Sequence, residues 1–137
     1  MWLFTTHGFF SIVCLNNRPM DGSPLKGKLT VDKSQVAIRA RVRKHLENLM
    51  EAFGTLQFAE ILDTPNRDYA CRIVVPTGVW ASVALALASG IDYHNFKDAA
   101  GKGDAEYARW LASVWGLGHG VQSRSKRPAR KHQGGPS

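Results

Sequence analysis

Apolar and polar residues alternate in the first half of the chain with the period of β-strands. Two aromatic and β-branched runs, Trp2–Thr5 and Phe9–Cys14, flank a short turn at Gly8 and predict a tight hairpin. A loop rich in Asn, Pro, Gly and Lys follows over residues 16–28. Val36–Arg41 then alternates again, which predicts a half-buried strand with its arginines on the open face.

Helical periodicity begins after this strand. Apolar residues recur at helical spacing from Val42 to Phe53 and predict a helix that ends at Gly54. Phe58–Asp63 and Tyr69–Val75 have the composition of two further strands. The residues that join these two strands include Pro, Asn and Asp, which are typical of a turn.

Two more helices complete the predicted elements. Thr77 is the expected N-cap of one, which ends at Gly90, and Asp104 is the expected N-cap of the last. The order hairpin, strand, helix, strand, strand, helix and extra helix predicts an α+β fold. We expect an antiparallel sheet with helices packed on one face, in a ferredoxin-like, split β-α-β arrangement. The other sheet face then needs cover from the last helix, a partner subunit or a ligand.

Length and composition favour one folded domain. The 137 residues are 44% hydrophobic and 21% charged, which excludes a wholly disordered chain, a collagen-like repeat and a coiled coil. We expect a single domain over residues 1–115. From Gly116 the composition changes to Gly, Ser, Arg, Lys, Pro and Gln, so residues 116–137 are predicted to form a disordered basic tail.

The apolar segments are too short for a membrane protein. The longest clean one, Val79–Ala88, has about half the length of a transmembrane helix. Met1–Leu15 lacks the positive charge and the cleavage site of a signal peptide. We therefore expect a cytoplasmic protein without a membrane partner. Cys14 and Cys71 are expected to be buried free thiols, and a disulfide between them is the alternative.

Charge is unevenly distributed along the chain, whose net charge is +7. Residues 17–45 contain eight Lys or Arg against two Asp, residues 46–115 contain five basic and nine acidic residues, and residues 116–137 contain five basic residues and no acid. Basic surfaces attract phosphate backbones through counterion release. The candidate nucleic-acid contacts are basic side chains of the first and last of these segments: Arg39, Arg41, Arg43, Lys44, Arg124, Lys126, Arg127, Arg130 and Lys131.

The spacing of the first group suits anions. Arg39 and Arg41 are predicted to share a strand face about 6–7 Å apart, which fits successive phosphates or the acidic side chains of a partner. Arg43 and Lys44 lie near the start of a helix, where cations oppose the helix dipole. A solvated strand face and a solubilising tail are the alternative interpretations of these charges.

Two other segments are candidates for chemistry. The aromatic residues of the N-terminal hairpin are candidates for base stacking, although aromatic residues in strands usually pack into a core. Asp92, His94 and Lys97 are a candidate polar site, in which His94 would act as a base oriented by Asp92, and the alternative is a capped turn. No catalytic or metal-ligand motif stands out, and we expect no cofactor.

Motifs spread over residues 1–115 carry a family resemblance. They are Met1–Thr5, Gly8–Val13, Arg39–Leu46, Asp68-Tyr69, Arg72, Val75-Pro76, Ile91–Lys97 and Trp110–Trp115. Together they resemble a family of small uncharacterised bacterial and phage-associated proteins. The resemblance implies a bacterial or phage origin and a compact domain. It implies no activity and no catalytic residues, and it excludes the tail.

Three functions follow as hypotheses. The first is a non-enzymatic accessory protein that binds DNA or RNA through its basic surface and tail. The second is a protein-interaction module or inhibitor, acting as a homodimer or with a partner on its sheet face. The third, and least favoured, is an enzyme centred on His94 and Asp92.

Overall fold

The computed structural model describes residues 1–126. The strands in this range are β1 (Trp2–Thr5), β2 (Gly8–Asn16), β3 (Val31–Ala40), β4 (Leu62–Asp63) and β5 (Cys71–Pro76). The helices are α1 (Arg43–Ala52), α2 (Thr77–Ser89), α3 (Phe96–Ala100) and α4 (Ala105–Ser125), with a 3-10 turn at Gly54–Leu56. The chain divides into two compact units, the first over Met1–Phe96 and the second beginning at Lys97. The single domain expected over residues 1–115 stays a prediction.

The strands form one antiparallel sheet in the order β1-β2-β3-β5-β4. This order confirms the α+β class and the antiparallel sheet. Across its centre, Ser11 of β2 lies opposite Arg39 of β3, and Arg39 lies opposite Arg72 of β5. Because directly paired residues project on the same side of a sheet, these three side chains share one face.

The opposite face of the sheet carries the hydrophobic core. Phe10, Ile38 and Ile73 are completely buried there, and Leu46 of α1 and Val83 of α2 belong to the same cluster. Both long helices of the first unit therefore cover one sheet face, as predicted. Burial of apolar surface contributes about 25 cal/mol per Å², which makes this cluster the main source of stability.

The ferredoxin-like detail of the prediction is not confirmed. A split β-α-β-β-α-β unit closes with a strand after its second helix. In residues 1–126, α2 is followed by α3 and α4 and by no further strand. The place beside β3 is taken by β2, which precedes it in the chain.

The N-terminal hairpin forms where the sequence predicts it. Gly8 has a φ of 146°, and a β-carbon at this position would lie 2.3 Å from Cγ of His45. The buried His45 side chain in turn accepts a hydrogen bond from the Phe9 N–H at its Nδ1, 3.3 Å away. Gly8 is therefore required both by its backbone conformation and by the close approach of α1.

Several element boundaries differ from the predicted ones. The strand expected over residues 58–63 is reduced to Leu62–Asp63, because a 3-10 turn and a further turn precede it. Thr77 is the first residue of α2 and not its N-cap, and its hydroxyl donates to the Lys33 carbonyl oxygen at 2.9 Å. Asp104 caps α4 as predicted, since its carboxylate accepts from the Tyr107 N–H at 2.9 Å.

Helix α4 is longer than the composition predicts. Residues 116–125 of the predicted tail continue the helix, and the rings of Trp115 and His119 stack there one turn apart with centroids at 5.2 Å. Such i,i+4 contacts stabilise helices and offset part of the cost of the glycines in this segment. No helix within residues 1–126 is both long and apolar enough to cross a membrane. Cys71 is buried as predicted, whereas Cys14 is exposed.

Candidate anion-binding site

A cavity of about 520 Å³ opens between the loop at residues 17–30 and the turn at residues 64–68 of the first unit. Four arginines from four separate segments line it: Arg18 from the loop, Arg39 from β3, Arg67 from the turn and Arg72 from β5. Asp68 supplies the one carboxylate of the lining. We refer to this cavity as the arginine pocket.

Hydrogen bonds at the base and at the tip of the loop at residues 17–30 fix its position beside the pocket. At the base, the Asn17 N–H donates to the Thr30 carbonyl at 3.2 Å, and the Asn17 side chain accepts from the Thr30 N–H at 2.9 Å. At the tip, the Asn66 side-chain amide donates to the Asp21 carbonyl at 3.4 Å. Gly22, with φ at 84°, lies so close to Asn66 that a β-carbon would meet its carbonyl oxygen at 2.6 Å. These contacts attach the loop to the turn and so shape the pocket.

Arg72 is the most buried charged residue of the pocket, with 3% of its surface exposed. Its Nε donates to the Thr64 hydroxyl at 3.2 Å and a terminal nitrogen donates to the Tyr69 carbonyl at 3.4 Å. Within residues 1–126 these bonds use two of its five N–H groups and leave three without a protein acceptor. Burial and the charges of Arg67 and Arg39 lower the pKa of Arg72 to about 10, so the side chain stays charged at neutral pH.

Arg39 lies beside Arg72 on the same sheet face. One of its terminal nitrogens donates to the buried Ser11 hydroxyl at 2.7 Å. Its Nε is buried and has no hydrogen-bond partner within residues 1–126. Burial lowers the pKa of Arg39. A buried donor without an acceptor costs about 1–3 kcal/mol, so the placement of Arg39 carries a local cost in the folded protein.

The pocket arginines are not neutralised by nearby carboxylates. None of the four forms an ion pair with another residue of the described part of the chain. The loop carboxylate of Asp21 instead accepts from the hydroxyl and the N–H of Ser23, at 2.6 and 2.9 Å, and these bonds lower its pKa. Cations gathered in a concave site without counterions create a positive potential that attracts anions.

The structure divides the predicted group Arg39, Arg41, Arg43 and Lys44. Only Arg39 lines the pocket. Arg41 donates to the Asp68 carbonyl at 2.7 Å. The guanidinium carbons of Arg39 and Arg41 lie 4.6 and 4.5 Å from the centroid of the buried Tyr69 ring, so cation–π contact holds both.

Arg43 and Lys44 begin α1, outside the pocket lining. Arg43 donates to the Asp63 carboxylate at 2.7 Å and approaches Glu47 at 3.4 Å. The bond to Asp63 raises the pKa of Arg43. Lys44 is exposed. The charge of Arg43 is therefore largely compensated, unlike that of the pocket arginines.

The remaining predicted contacts belong to the second unit. Arg124 and Lys126 are exposed at the end of α4. Arg127, Arg130 and Lys131 lie outside the described residues.

The residues of the candidate polar site are divided between the two units. Asp92 and His94 are exposed in the first unit, and neither lines the arginine pocket. Lys97 belongs to the second unit, where its ammonium lies 4.7 Å from the centroid of the Trp115 ring. The catalytic role suggested for His94 and Asp92 stays a prediction.

Three of the pocket residues, Arg18, Arg67 and Arg72, were not among the candidate contacts that the sequence predicted. Arg18 and Arg67 occur in a loop and a turn, where charged residues are common. Arg72 did carry a signal, because it interrupts the otherwise apolar strand Cys71–Pro76. Charged residues are rarely buried unless they are paired, so a fully buried arginine without an ion pair marks this position for function.

An apolar cavity of about 430 Å³ is also present in the first unit, between β1 and α2. It is lined mainly by apolar residues, including Phe4, Phe53 and Leu87. His7 also lines it, and burial lowers the pKa of this side chain. The predicted protein partner or second copy stays a prediction.

Comparisons with protein-family models, curated proteins and solved structures give no match to this chain. Function is therefore inferred from the residues of the arginine pocket.

Proposed function

We propose that the protein is a non-enzymatic nucleic-acid-binding protein whose arginine pocket takes up phosphate. The observation that carries this proposal is the convergence of Arg18, Arg39, Arg67 and Arg72 on one cavity without an ion pair in residues 1–126. Such a cluster is costly in the free protein, because like charges repel. Bound phosphate relieves this repulsion, because its negative charge lies among the four guanidinium groups.

Arginine suits this role better than lysine does. Its planar guanidinium offers parallel N–H groups that match two oxygens of a phosphate. In the pocket, the hydrogen bonds of Arg72 to Thr64 and Tyr69, and of Arg39 to Ser11, fix both guanidinium groups before a ligand arrives. Side chains fixed in advance lose less conformational entropy on binding.

Basic side chains outside the pocket extend the proposed contact along the phosphate backbone. Arg41 lies next to the pocket residue Asp68, and the tail adds Arg124, Lys126, Arg127, Arg130 and Lys131. These contacts are electrostatic and read no base sequence. We therefore expect low sequence specificity and a strong dependence on salt.

Fluorescence anisotropy of labelled single-stranded and double-stranded DNA and RNA tests the proposal with the full-length protein. Between about 50 and 200 mM salt, two to four neutralised phosphates reduce affinity by roughly tenfold to 100-fold. Affinity that does not change with salt would overturn the proposal.

Matched variants locate the site. Arg39→Met and Arg43→Met each remove one positive charge and are four residues apart, but only Arg39 lines the pocket. We expect Arg39→Met to weaken binding by about tenfold and Arg43→Met to change it little. Equal losses in both variants would show that net charge, and not the pocket, accounts for binding. Replacing Arg127, Arg130 and Lys131 by Gln measures the contribution of the tail.

A further inference from the structure

We infer that the arginine pocket is selective for a terminal phosphate, a phosphomonoester, over the phosphodiesters inside a strand. This inference rests on the proposed function and names the part of the ligand that enters the pocket. The same phosphomonoester chemistry is offered by the phosphorylated end of a strand and by a free nucleotide.

The depth of the pocket supports an end over an internal linkage. Arg72 is 3% exposed, and Ser11, which holds Arg39, is 1% exposed. An internal phosphodiester has chain on both sides and must lie along a surface. Here the loop at residues 17–30 closes one side and the turn at residues 64–68 the other. A group that projects from one end of a chain can reach the innermost donors.

The charge of the pocket matches the same ligand. Four guanidinium groups face one carboxylate, that of Asp68. A phosphodiester carries one negative charge and two free oxygens. A phosphomonoester has a second pKa near 6, so it carries almost two charges at neutral pH and has three strong acceptor oxygens. The monoester therefore uses more of the free N–H groups of Arg39 and Arg72 and neutralises more of the pocket charge.

The size of the cavity admits more than inorganic phosphate. Its volume of about 520 Å³ falls within the range of about 300–1,000 Å³ found for small-molecule sites. The Tyr69 ring is 4% exposed and is in contact with Arg39 and Arg41, so it offers no open face for base stacking. Recognition is consequently directed at phosphate and not at the base.

Three single-stranded DNA oligonucleotides of one sequence, each with the fluorescent label at an internal base, test the inference. One carries a 5′-phosphate, one a 3′-phosphate and one hydroxyl groups at both ends, and binding to the full-length protein is measured by anisotropy. We expect one phosphorylated strand to bind at least about tenfold more tightly than the unphosphorylated strand. Arg39→Met and Arg18→Met should abolish this preference, and Arg43→Met should retain it. Arg18 is exposed on the loop, so its replacement leaves the sheet core untouched.

The outcomes separate this inference from the proposed function. Equal binding of all three strands, with loss in Arg39→Met, would overturn end selectivity and leave the pocket as a general phosphate site. Salt-independent or pocket-independent binding would overturn the proposed function as well. Unlabelled deoxynucleoside monophosphate and unlabelled phosphorylated strand serve as competitors of the labelled strand. If both displace it at similar concentrations, the pocket is a phosphomonoester site that free nucleotide can use. Displacement by the strand alone supports a site for strand ends.

Discussion

Arg39 lies directly opposite Arg72 in the antiparallel pairing of β3 with β5, on the sheet face that does not carry the core. Like charges directly opposite each other destabilise a sheet. Neither arginine has an ion-pair partner in the described residues. Their partners are neutral: Ser11 and the Tyr69 ring for Arg39, and the Thr64 hydroxyl and the Tyr69 carbonyl for Arg72. Two paired like charges without a neighbouring carboxylate break a local rule of sheet pairing, and such a departure is typical of a functional site.

The first prediction concerns the coupling of these two residues in binding. Arg39→Met and Arg72→Met should each weaken oligonucleotide binding by about tenfold or more, since charged hydrogen bonds contribute about 1.5–3 kcal/mol. If both guanidinium groups hold one phosphate, the double variant should lose clearly less than the product of the single effects. A double-mutant cycle by anisotropy measures this. The pair Arg39 and Arg43 is the control and should be additive.

The second prediction is that Arg72 contributes little to stability. In Arg72→Met the Thr64 hydroxyl still donates to the Tyr69 carbonyl at 2.8 Å, so neither group loses its last partner. Replacement also removes repulsion from Arg39 and Arg67. The free energy of unfolding in urea should therefore stay within about 1 kcal/mol of the wild-type value.

Ile73→Ala serves as the control for this measurement, because Ile73 is the next residue of β5 and is completely buried in the core. Its loss should cost about 2–5 kcal/mol. A comparable loss in Arg72→Met would mean that Arg72 is required for the stability of the fold and would contradict its assignment to an anion site.

The third prediction concerns Gly8. Alanine there would adopt a left-handed backbone conformation and would overlap the His45 ring, so we expect a loss of at least about 2 kcal/mol in the free energy of unfolding. Gly78→Ala is the matched control. Gly78 lies in α2, and a β-carbon added there would meet no atom within 4 Å. Alanine should therefore stabilise the helix by up to about 1 kcal/mol. Equal effects of both substitutions would contradict this account.

Local signals in the sequence were sufficient for much of the fold. The hairpin at Gly8 and the cap at Asp104 depend on residues that are close in the chain, and both were predicted correctly. The strand expected over residues 58–63 was largely wrong. The 3-10 turn at Gly54–Leu56 continues into a further turn and a bend over residues 57–59, which hydrophobic periodicity does not reveal.

The arginine pocket could be predicted only in part. Arg39 was a candidate because it alternates with apolar residues in β3. Its neighbours in space, Arg18, Arg67 and Arg72, come together through the β3–β5 register and the contact of Gly22 with Asn66. Both relationships join residues that are far apart in the chain, and hydrophobic periodicity contains no information about them.

The fourth prediction concerns the two free thiols. Cys14 is exposed, whereas Cys71 is 1% exposed and its Sγ donates to the Ala40 carbonyl at 3.5 Å. Burial raises the pKa of the Cys71 thiol, and a thiol reacts through its thiolate. In native buffer an aromatic disulfide reagent should modify one thiol rapidly and the second only on unfolding. Cys14→Ser should remove the rapid phase, and a rapid phase that persisted would contradict the burial of Cys71.

The fifth prediction concerns pH and His7. Burial lowers the pKa of His7, whose ring packs edge-on against Phe53 with centroids 5.7 Å apart. As pH falls below about 6.5, the unfolded chain binds a proton that the folded protein resists, so the contribution of His7 to stability falls with pH. His7→Phe keeps an aromatic ring and removes the titration. Wild-type protein should therefore lose stability relative to His7→Phe between pH 7 and pH 5 in urea unfolding. His94→Phe, at an exposed position, is the control, and its free energy of unfolding should change with pH as that of the wild type does. If the difference in free energy of unfolding between wild type and His7→Phe stayed constant with pH, burial of His7 would not be coupled to its protonation.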